Sequence, residues 1–291
     1  MGNTAISPRA QTAWITGAGG LIGNCFLQSA AEFGPQWTPR GLTRQIVDLA
    51  DAASVRRLFA AEQPVLVIHC AALSKSPACQ ANPALARQLN VEVTQTLVEL
   101  AVGIPFVFFS SDLVFDGRQG NYVETDTPGP LSVYAETKVA AEQIVRQHPR
   151  HLIIRTSLNG GTSPTGDRGF NEEMRRAWQA GRTLRLFTDE YRSPIAAVET
   201  TRAVWRLIAA NATGIHHVAG SERLSRWRIG ELLAARWPQL QPRIEPASLR
   251  EYQGAPRPPD TSLNCDKAEQ VLGAPLPRFS NWLLAHPDER F

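Results

Sequence analysis

A short apolar run from Thr12 to Thr16 ends in Gly17-x-x-Gly20-x-x-Gly23, and the residues after it, Asn24 to Phe33, carry apolar side chains at helical spacing. Strand, glycine turn and helix in that order leave few architectures open. The first glycine permits the tight turn, the second lets backbone approach a pyrophosphate, and the third lets the helix pack on the strand. Phosphates would then sit at the helix N-terminus, where unpaired N–H groups and the dipole favour anions. Gly17, Gly20, Leu21, Ile22 and Gly23 are therefore candidate cofactor contacts. A purely structural turn is the competing reading.

The rest of the first half repeats the theme. Strand patterns fall near 13–15, 40–42, 65–69, 106–109 and 152–155, with helical stretches between them at 53–62, 84–101 and 136–147. That alternation predicts an α/β protein, a Rossmann-type doubly wound parallel sheet. After Ser157 the pattern breaks into a loop rich in Gly, Ser, Thr and Pro, then a helix near 172–180; a second irregular stretch covers 253–259. The expected division is a dinucleotide-binding domain over 1–157 with a return segment about 194–218, and a smaller substrate-binding domain from 158–193 and 219–291. No internal repeat is visible, and Trp227, Trp237 and Trp282 read as core.

Chemistry concentrates at Ser132-Val-Tyr-Ala-Glu-Thr-Lys138. Tyr134 and Lys138 stand at i and i+4, one face of a helix. A nearby ammonium favours the phenolate, so Lys138 is expected to lower the Tyr134 pKa from its reference of about 10. The chain is basic almost entirely through arginine; its lysines are Lys75, Lys138 and Lys267. A guanidinium would not replace a compact ammonium beside a ribose and a phenol. Just past the strand at 106–109 stand Ser110, Ser111 and Asp112, at the sheet edge where ligands bind in open parallel sheets. Either serine could simply form a turn, and Ser111 is the better catalytic candidate because the Tyr-Lys helix is the next crossover. Hydride transfer to a carbonyl needs an acid and a polarising donor. Tyr134 would be the acid, Ser111 would bond the same oxygen, and Lys138 would hold the nicotinamide ribose.

The second strand speaks to cofactor choice. NAD binding places an acid at its end, whereas NADP needs a cation for the 2′-phosphate. Here the end reads Arg40-Gly-Leu-Thr-Arg44, with no acid before Asp48. NADP(H) is expected, with NAD(H) the alternative if Arg44 is only a solvated strand end.

These pieces resemble the extended short-chain dehydrogenases/reductases, and more narrowly the dTDP-4-dehydrorhamnose reductase-like family. The resemblance rests on the glycine turn, Asp48-Leu49, Ala71-Ala72, Asn90-Val91, Ser110 to Gly117, Tyr134 to Lys138 and Arg155-Thr-Ser157, with weaker matches near Asp189, Gly214 and Arg257. It implies that Asp48 and Leu49 contact the adenine, that Ala71 and Ala72 lie along the cofactor, and that Ser111, Asp112 and Tyr134 face substrate. It places Asn90 near the relay, although Asn90 could equally brace its helix. The activity implied is reduction of the 4-keto group of a nucleotide-activated sugar, with a homodimer as the assembly. Substrate-facing positions depart from the pattern. Ser76-Pro-Ala-Cys-Gln80 replaces an acidic Val-Asp-x-x-Glu stretch, Leu113 a tyrosine, and Leu158 a tryptophan. Two lost rings remove stacking worth about a kcal/mol each. A nucleotide-sugar epimerase or dehydratase, and a non-catalytic NADP-binding regulatory subunit, stay open as alternatives.

Composition excludes several other classes. With 291 residues, 43% of them apolar, the chain can build an ample core. A net charge of +3 with no basic cluster argues against nucleic acid. No apolar run reaches the ~18 residues of a membrane span. Residues 1–11 lack the basic and apolar regions of a signal peptide and read as a disordered leader. Cys25, Cys70, Cys79 and Cys265 show no zinc or redox spacing, so no metal is expected and the compartment is read as cytoplasmic.

Overall fold

The structure is a computed structural model describing residues 11–287 and 291. Except for Gln11, the leader expected over 1–11 lies outside the described residues. The first elements are β1 (Thr12–Thr16), α1 (Leu21–Phe33), β2 (Thr38–Leu42), α2 (Ala52–Glu62) and β3 (Leu66–His69). A helical stretch follows, made of α3 (Ser76–Ala81), α4 (Pro83–Arg87), a π-helical turn over Gln88–Glu92, and α5 (Val93–Leu100). Next come β4 (Phe106–Ser111), α6 (Val133–Val145), β5 (Leu152–Thr156), β6 (Asn159–Gly160), α7 (Phe170–Gln179), β7 (Thr183–Phe187) and β8 (Tyr191–Arg192). The chain continues through β9 (Ile195–Ala196), α8 (Ala197–Ala209), β10 (Gly214–Val218), β11 (Leu224–Ser225) and α9 (Arg226–Arg236). It closes with β12 (Arg243–Ala247), α10 (Asp266–Leu272) and α11 (Phe279–Ala285).

Six strands form one sheet in the order β10-β5-β4-β3-β1-β2. Every neighbouring pair in it is parallel. The connection from β1 runs outward to β2, whereas β3 lies on the other side of β1, so strand order reverses between β1 and β3. Beyond the carboxyl ends of those strands lies the crevice where open α/β sheets bind ligands.

Alternation along each strand supplies two faces. Ala13, Ile15, Leu66, Ile68, Val107, Phe109, Leu152 and Ile154 pack with Phe26 of α1 and with Val204, Trp205 and Leu207 of α8. Trp14, Val67, Phe106, Phe108 and Ile153 face the opposite way, against Val55, Val93, Leu97 and Ala141 of α2, α5 and α6. Burial on both faces explains why the sequence shows near-continuous apolar runs here. A third cluster builds the smaller lobe from Phe170, Met174, Trp178, Leu186, Leu233, Trp237 and Trp282, with Trp227 packed against it.

Three local expectations shift. The helix predicted over 84–101 is interrupted by the π turn, and the helix predicted over 136–147 starts at Val133 rather than Glu136. Ser132 caps it through a 3.4 Å bond from the Ala135 N–H, which places Tyr134 in its first turn. In the tail, Leu263, Cys265, Ala268, Leu272 and Leu276 join the main core rather than the small lobe. Their apolar face packs on α8 and β10, the strand that returns to the sheet. Among the described residues, no helix is long and apolar enough to cross a membrane.

Candidate active site

The glycine turn has the geometry of a cradle. Gly17 has φ of +69°, and a Cβ there would lie 2.7 Å from the Ala71 amide nitrogen. A Cβ on Gly23 would lie 2.4 Å from the Gly17 carbonyl oxygen, so α1 sits against the turn only because Gly23 lacks one. Gly20 is the N-cap and brings no side-chain acceptor, which leaves the helix start to a ligand. Leu21 is buried and Ile22 half-buried beneath it. Ala71 donates its N–H to Thr16 Oγ1 at 3.2 Å, and Ala72 is exposed beside it. Arg44 is exposed just beyond β2. Asp48 is exposed in the turn before α2 and accepts from the Ala50 N–H at 3.0 Å, while Leu49 packs onto the core. These residues share the carboxyl edge of β1, β2 and β3.

Tyr134, Ser111 and Lys138 meet at the carboxyl edge of β4. All three are buried. Burial pushes the Tyr134 pKa up, Asp112 adds to the effect, and the Ser111 side chain and Arg192 beside the phenol oppose it. The lowering expected from Lys138 is therefore overturned. Its ammonium instead stands 4.3 Å from the centroid of the Phe108 ring. Burial pulls the Lys138 pKa down to about 8, with Glu142 resisting.

Asp112 is fully buried, and Arg192 grips it with two bonds of 2.6 Å. Ser157 Oγ donates to it at 2.6 Å, Thr261 Oγ1 at 3.2 Å and Ser111 Oγ at 3.2 Å. With both oxygens engaged, Asp112 does not face the crevice as expected of a substrate contact; it reaches the site through Ser111 and Arg192.

Asn90 braces. Its Oδ1 accepts from the Leu73 N–H at 2.8 Å, and its Nδ2 donates to the Leu73 carbonyl and to Thr137 Oγ1. The π turn aims it between the loop after β3 and helix α6; such turns recur at functional sites. Behind it runs a directed chain of bonds. Thr94 Oγ1 donates to the Asn90 carbonyl at 2.8 Å, so His69 Nε2 must donate to Thr94, at 3.1 Å. Nδ1 is then the acceptor for Thr16 Oγ1 at 2.7 Å, and Thr16 in turn accepts from Ala71. Burial holds the His69 pKa near about 3, so the ring stays neutral.

Sequence reasoning missed the support beneath Lys138. Glu142, one turn further along α6, takes a bidentate grip from Arg155 at 3.0 and 2.7 Å and a 2.5 Å bond from Ser110 Oγ. The i+4 spacing from Lys138 was a readable signal; the partnership with Arg155 of β5 was not. Ser110, weighed as a turn former, thus anchors the buried carboxylate. Leu113 lies beside Tyr134 and Cys79, and Leu158 packs onto the small-lobe core, so neither offers a ring for stacking.

A parallel six-stranded sheet, a glycine cradle at its switch point and a Ser-Tyr-Lys cluster at its carboxyl edge define an extended short-chain dehydrogenase/reductase. More narrowly, the chain matches the family described as RmlD substrate binding domain over residues 11–288 and belongs to it. A probable low-salt glycan biosynthesis reductase, Agl14 of Haloferax volcanii, is 30% identical over 94% of this chain and 96% of its own. Methionine adenosyltransferase 2 subunit beta of Xenopus laevis is 26% identical over 90% of this chain and 83% of its own. The crystal structure of dTDP-4-dehydrorhamnose reductase from Bacillus anthracis, in complex with NADP, superposes with a TM-score of 0.85 at 23% identity, over 95% of this chain and 98% of that one.

Proposed function

We propose that this protein is an NADP(H)-dependent reductase of the keto group of a nucleotide-activated sugar, the 4-keto group being the position favoured by the family. The observation that carries the reading is the buried Ser111–Tyr134 pair standing with Lys138 at the sheet edge that also holds the glycine cradle. The residues fit a dinucleotide, because Gly17 and Gly23 let the turn and α1 close tightly while Gly20 leaves the helix N-terminus without a side-chain cap. When bound, NADPH supplies the hydride. The protein's part is positional and acidic. Tyr134, whose pKa is raised, keeps its proton at neutral pH and gives it to the oxygen that becomes the hydroxyl. Ser111 exchanges its long bond to Asp112 for one to that oxygen. Lys138 holds the ribose hydroxyls, Arg44 takes the 2′-phosphate, and Gly20, Leu21, Ile22, Asp48, Leu49, Ala71 and Ala72 line the remainder. Asp112 and Asn90 act by orienting these groups.

Tyr134→Phe deletes one hydroxyl and little volume. Assayed with a panel of activated 4-ketosugars and NADPH, it should lose about 10²–10⁴ in rate while retaining NADPH affinity. Turnover equal to wild type would remove Tyr134 from the acid role. A second reading, a non-catalytic NADP-binding subunit, is favoured by the relatedness to methionine adenosyltransferase 2 subunit beta. It predicts tight NADPH binding with no turnover of any ketosugar in the panel.

A further inference from the structure

Phe291 lies deep in the smaller lobe, with 3% of its surface exposed. Its ring centroid stands 5.6 Å from that of Phe279 and 5.2 Å from that of Trp282, both on α11. The Arg236 guanidinium of α9 lies 5.8 Å from the same ring. The tip of the ring meets the backbone of β6. A Cβ on Gly160 would collide with the ζ carbon and both ε carbons of Phe291. Gly160 is not among the glycines of positive φ, so contact with this ring, not backbone conformation, requires it to be glycine.

After β6 comes the loop over 161–169, and both ends of that loop close on the cofactor cradle. A Cβ on Gly161 would lie 3.2 Å from Leu21 Cδ1, and one on Gly169 would lie 3.4 Å from Leu21 Cδ2. Leu21 is the first residue of α1, directly after the uncapped Gly20. Asn171 locks the near end: its Oδ1 accepts from the Gly161 N–H at 3.1 Å, and its Nδ2 donates to the Gly161 carbonyl at 2.9 Å. Glu172 locks the far end. It accepts from the backbone N–H of Ser163 at 2.7 Å and from those of Arg168 and Gly169 at 2.9 Å. A loop tied at both ends in a close-packed interior passes a displacement on rather than absorbing it.

We propose that Phe291 is a positioning residue for the cofactor. Through Gly160 and the loop behind it, Phe291 sets where Leu21 and the start of α1 stand, and that helix start receives the pyrophosphate. The proposal rests on the cofactor-binding reading given above and extends that site to the other end of the sequence. The pull of a helix N-terminus on an anion falls off within one turn, so the pyrophosphate registers a small shift of Leu21. The 2′-phosphate, assigned to Arg44 beyond β2, does not.

The test titrates NADPH and 2′-AMP, which lacks the pyrophosphate, into the full chain. Wild type is compared with Phe291→Ala, Phe291→Leu, Gly160→Ala and the double variant Gly160→Ala with Phe291→Ala. We expect Phe291→Ala to weaken NADPH about three- to tenfold while 2′-AMP affinity stays unchanged. Phe291→Leu, which keeps much of the apolar volume, should recover part of the loss. Gly160→Ala drives the ring out from the other side and should show the same pattern. The double variant should lose no more than either single change, because both act at one contact. Losses that fall equally on both ligands, or that add in the double variant, overturn the proposal. Should Phe291→Ala not fold, Phe291→Leu and Gly160→Ala decide by the same comparison of ligands. A wild-type chain that binds NADPH no better than 2′-AMP sinks the cofactor reading and this proposal with it. Strong wild-type binding that no variant alters overturns this proposal alone.

Discussion

Lys138 shows how a single side chain couples site and stability. Unfolded, a lysine holds its proton to about pH 10.4; folded, Lys138 releases it near pH 8. Between those values the unfolded state binds more protons, so this residue makes stability rise with pH across that window. Below pH 8 the whole cost of burying the ammonium is present. Desolvated thiols work the other way, because desolvation raises the pKa values of Cys70 and Cys265 and unfolding releases their protons first. Only a comparison between variants isolates the lysine. Without NADPH, Lys138→Met should melt higher than wild type at pH 7, and the gap should shrink between pH 8 and 10. A gap that stays constant over that range would show that Lys138 is not desolvated as described. The same variant should bind NADPH more weakly, which would mark the strain as serving the site.

At the scale of elements, α1 is seated by an absence. Phe26 and Ala30 bury its inner face against the sheet, but the helix reaches that depth only where Gly23 meets the Gly17 carbonyl. Gly23→Ala would gain helix propensity of about 0.8–1 kcal/mol in isolation. The backbone collision should outweigh it, giving a net loss of about 1–3 kcal/mol in urea denaturation together with weaker NADPH binding. Net stabilisation would mean that the turn gives way. The helical stretch before β4 makes a related point. Its apolar spacing reads as one helix because the π turn inserts its extra residue without a glycine or proline to announce it. What the turn accomplishes, aiming Asn90 at Leu73 and Thr137, depends on two distant segments.

Across the whole molecule, Asp112 and Arg192 tie the end of β4 to β8 of the smaller lobe, and Ser157 and Thr261 converge on the same carboxylate. Residues from four separate segments meet in one buried knot beneath Ser111. Breaking such a pair from one side leaves a charge uncompensated, so Asp112→Ala should cost about 3–5 kcal/mol of stability. Asp112→Ala with Arg192→Met should recover part of that loss, and chemical denaturation of the four-member cycle measures the coupling. Additive losses would show the ion pair to be incidental. Because Ser111 hangs from this knot, the single variant should also lower turnover of whatever ketone reacts.

The parallel sheet, its glycine cradle and the Ser111, Tyr134 and Lys138 cluster were legible in the chain, because each depends on short-range pattern: near-continuous apolar runs in strands, i and i+4 on a helix, three glycines in one turn. The family resemblance followed from those same local motifs. Tertiary structure decided what no local pattern encodes. It set the Tyr134 pKa upward, since burial and Asp112 outweigh Ser111 and Arg192. It turned Asp112 from a substrate contact into a support, joined Glu142 of α6 to Arg155 of β5, and returned 263–276 to the main core. It also left Arg226 Nη1 without a hydrogen-bond partner among the described residues. Burial and long-range charge pairing are sums over distant segments, and only the folded chain performs them.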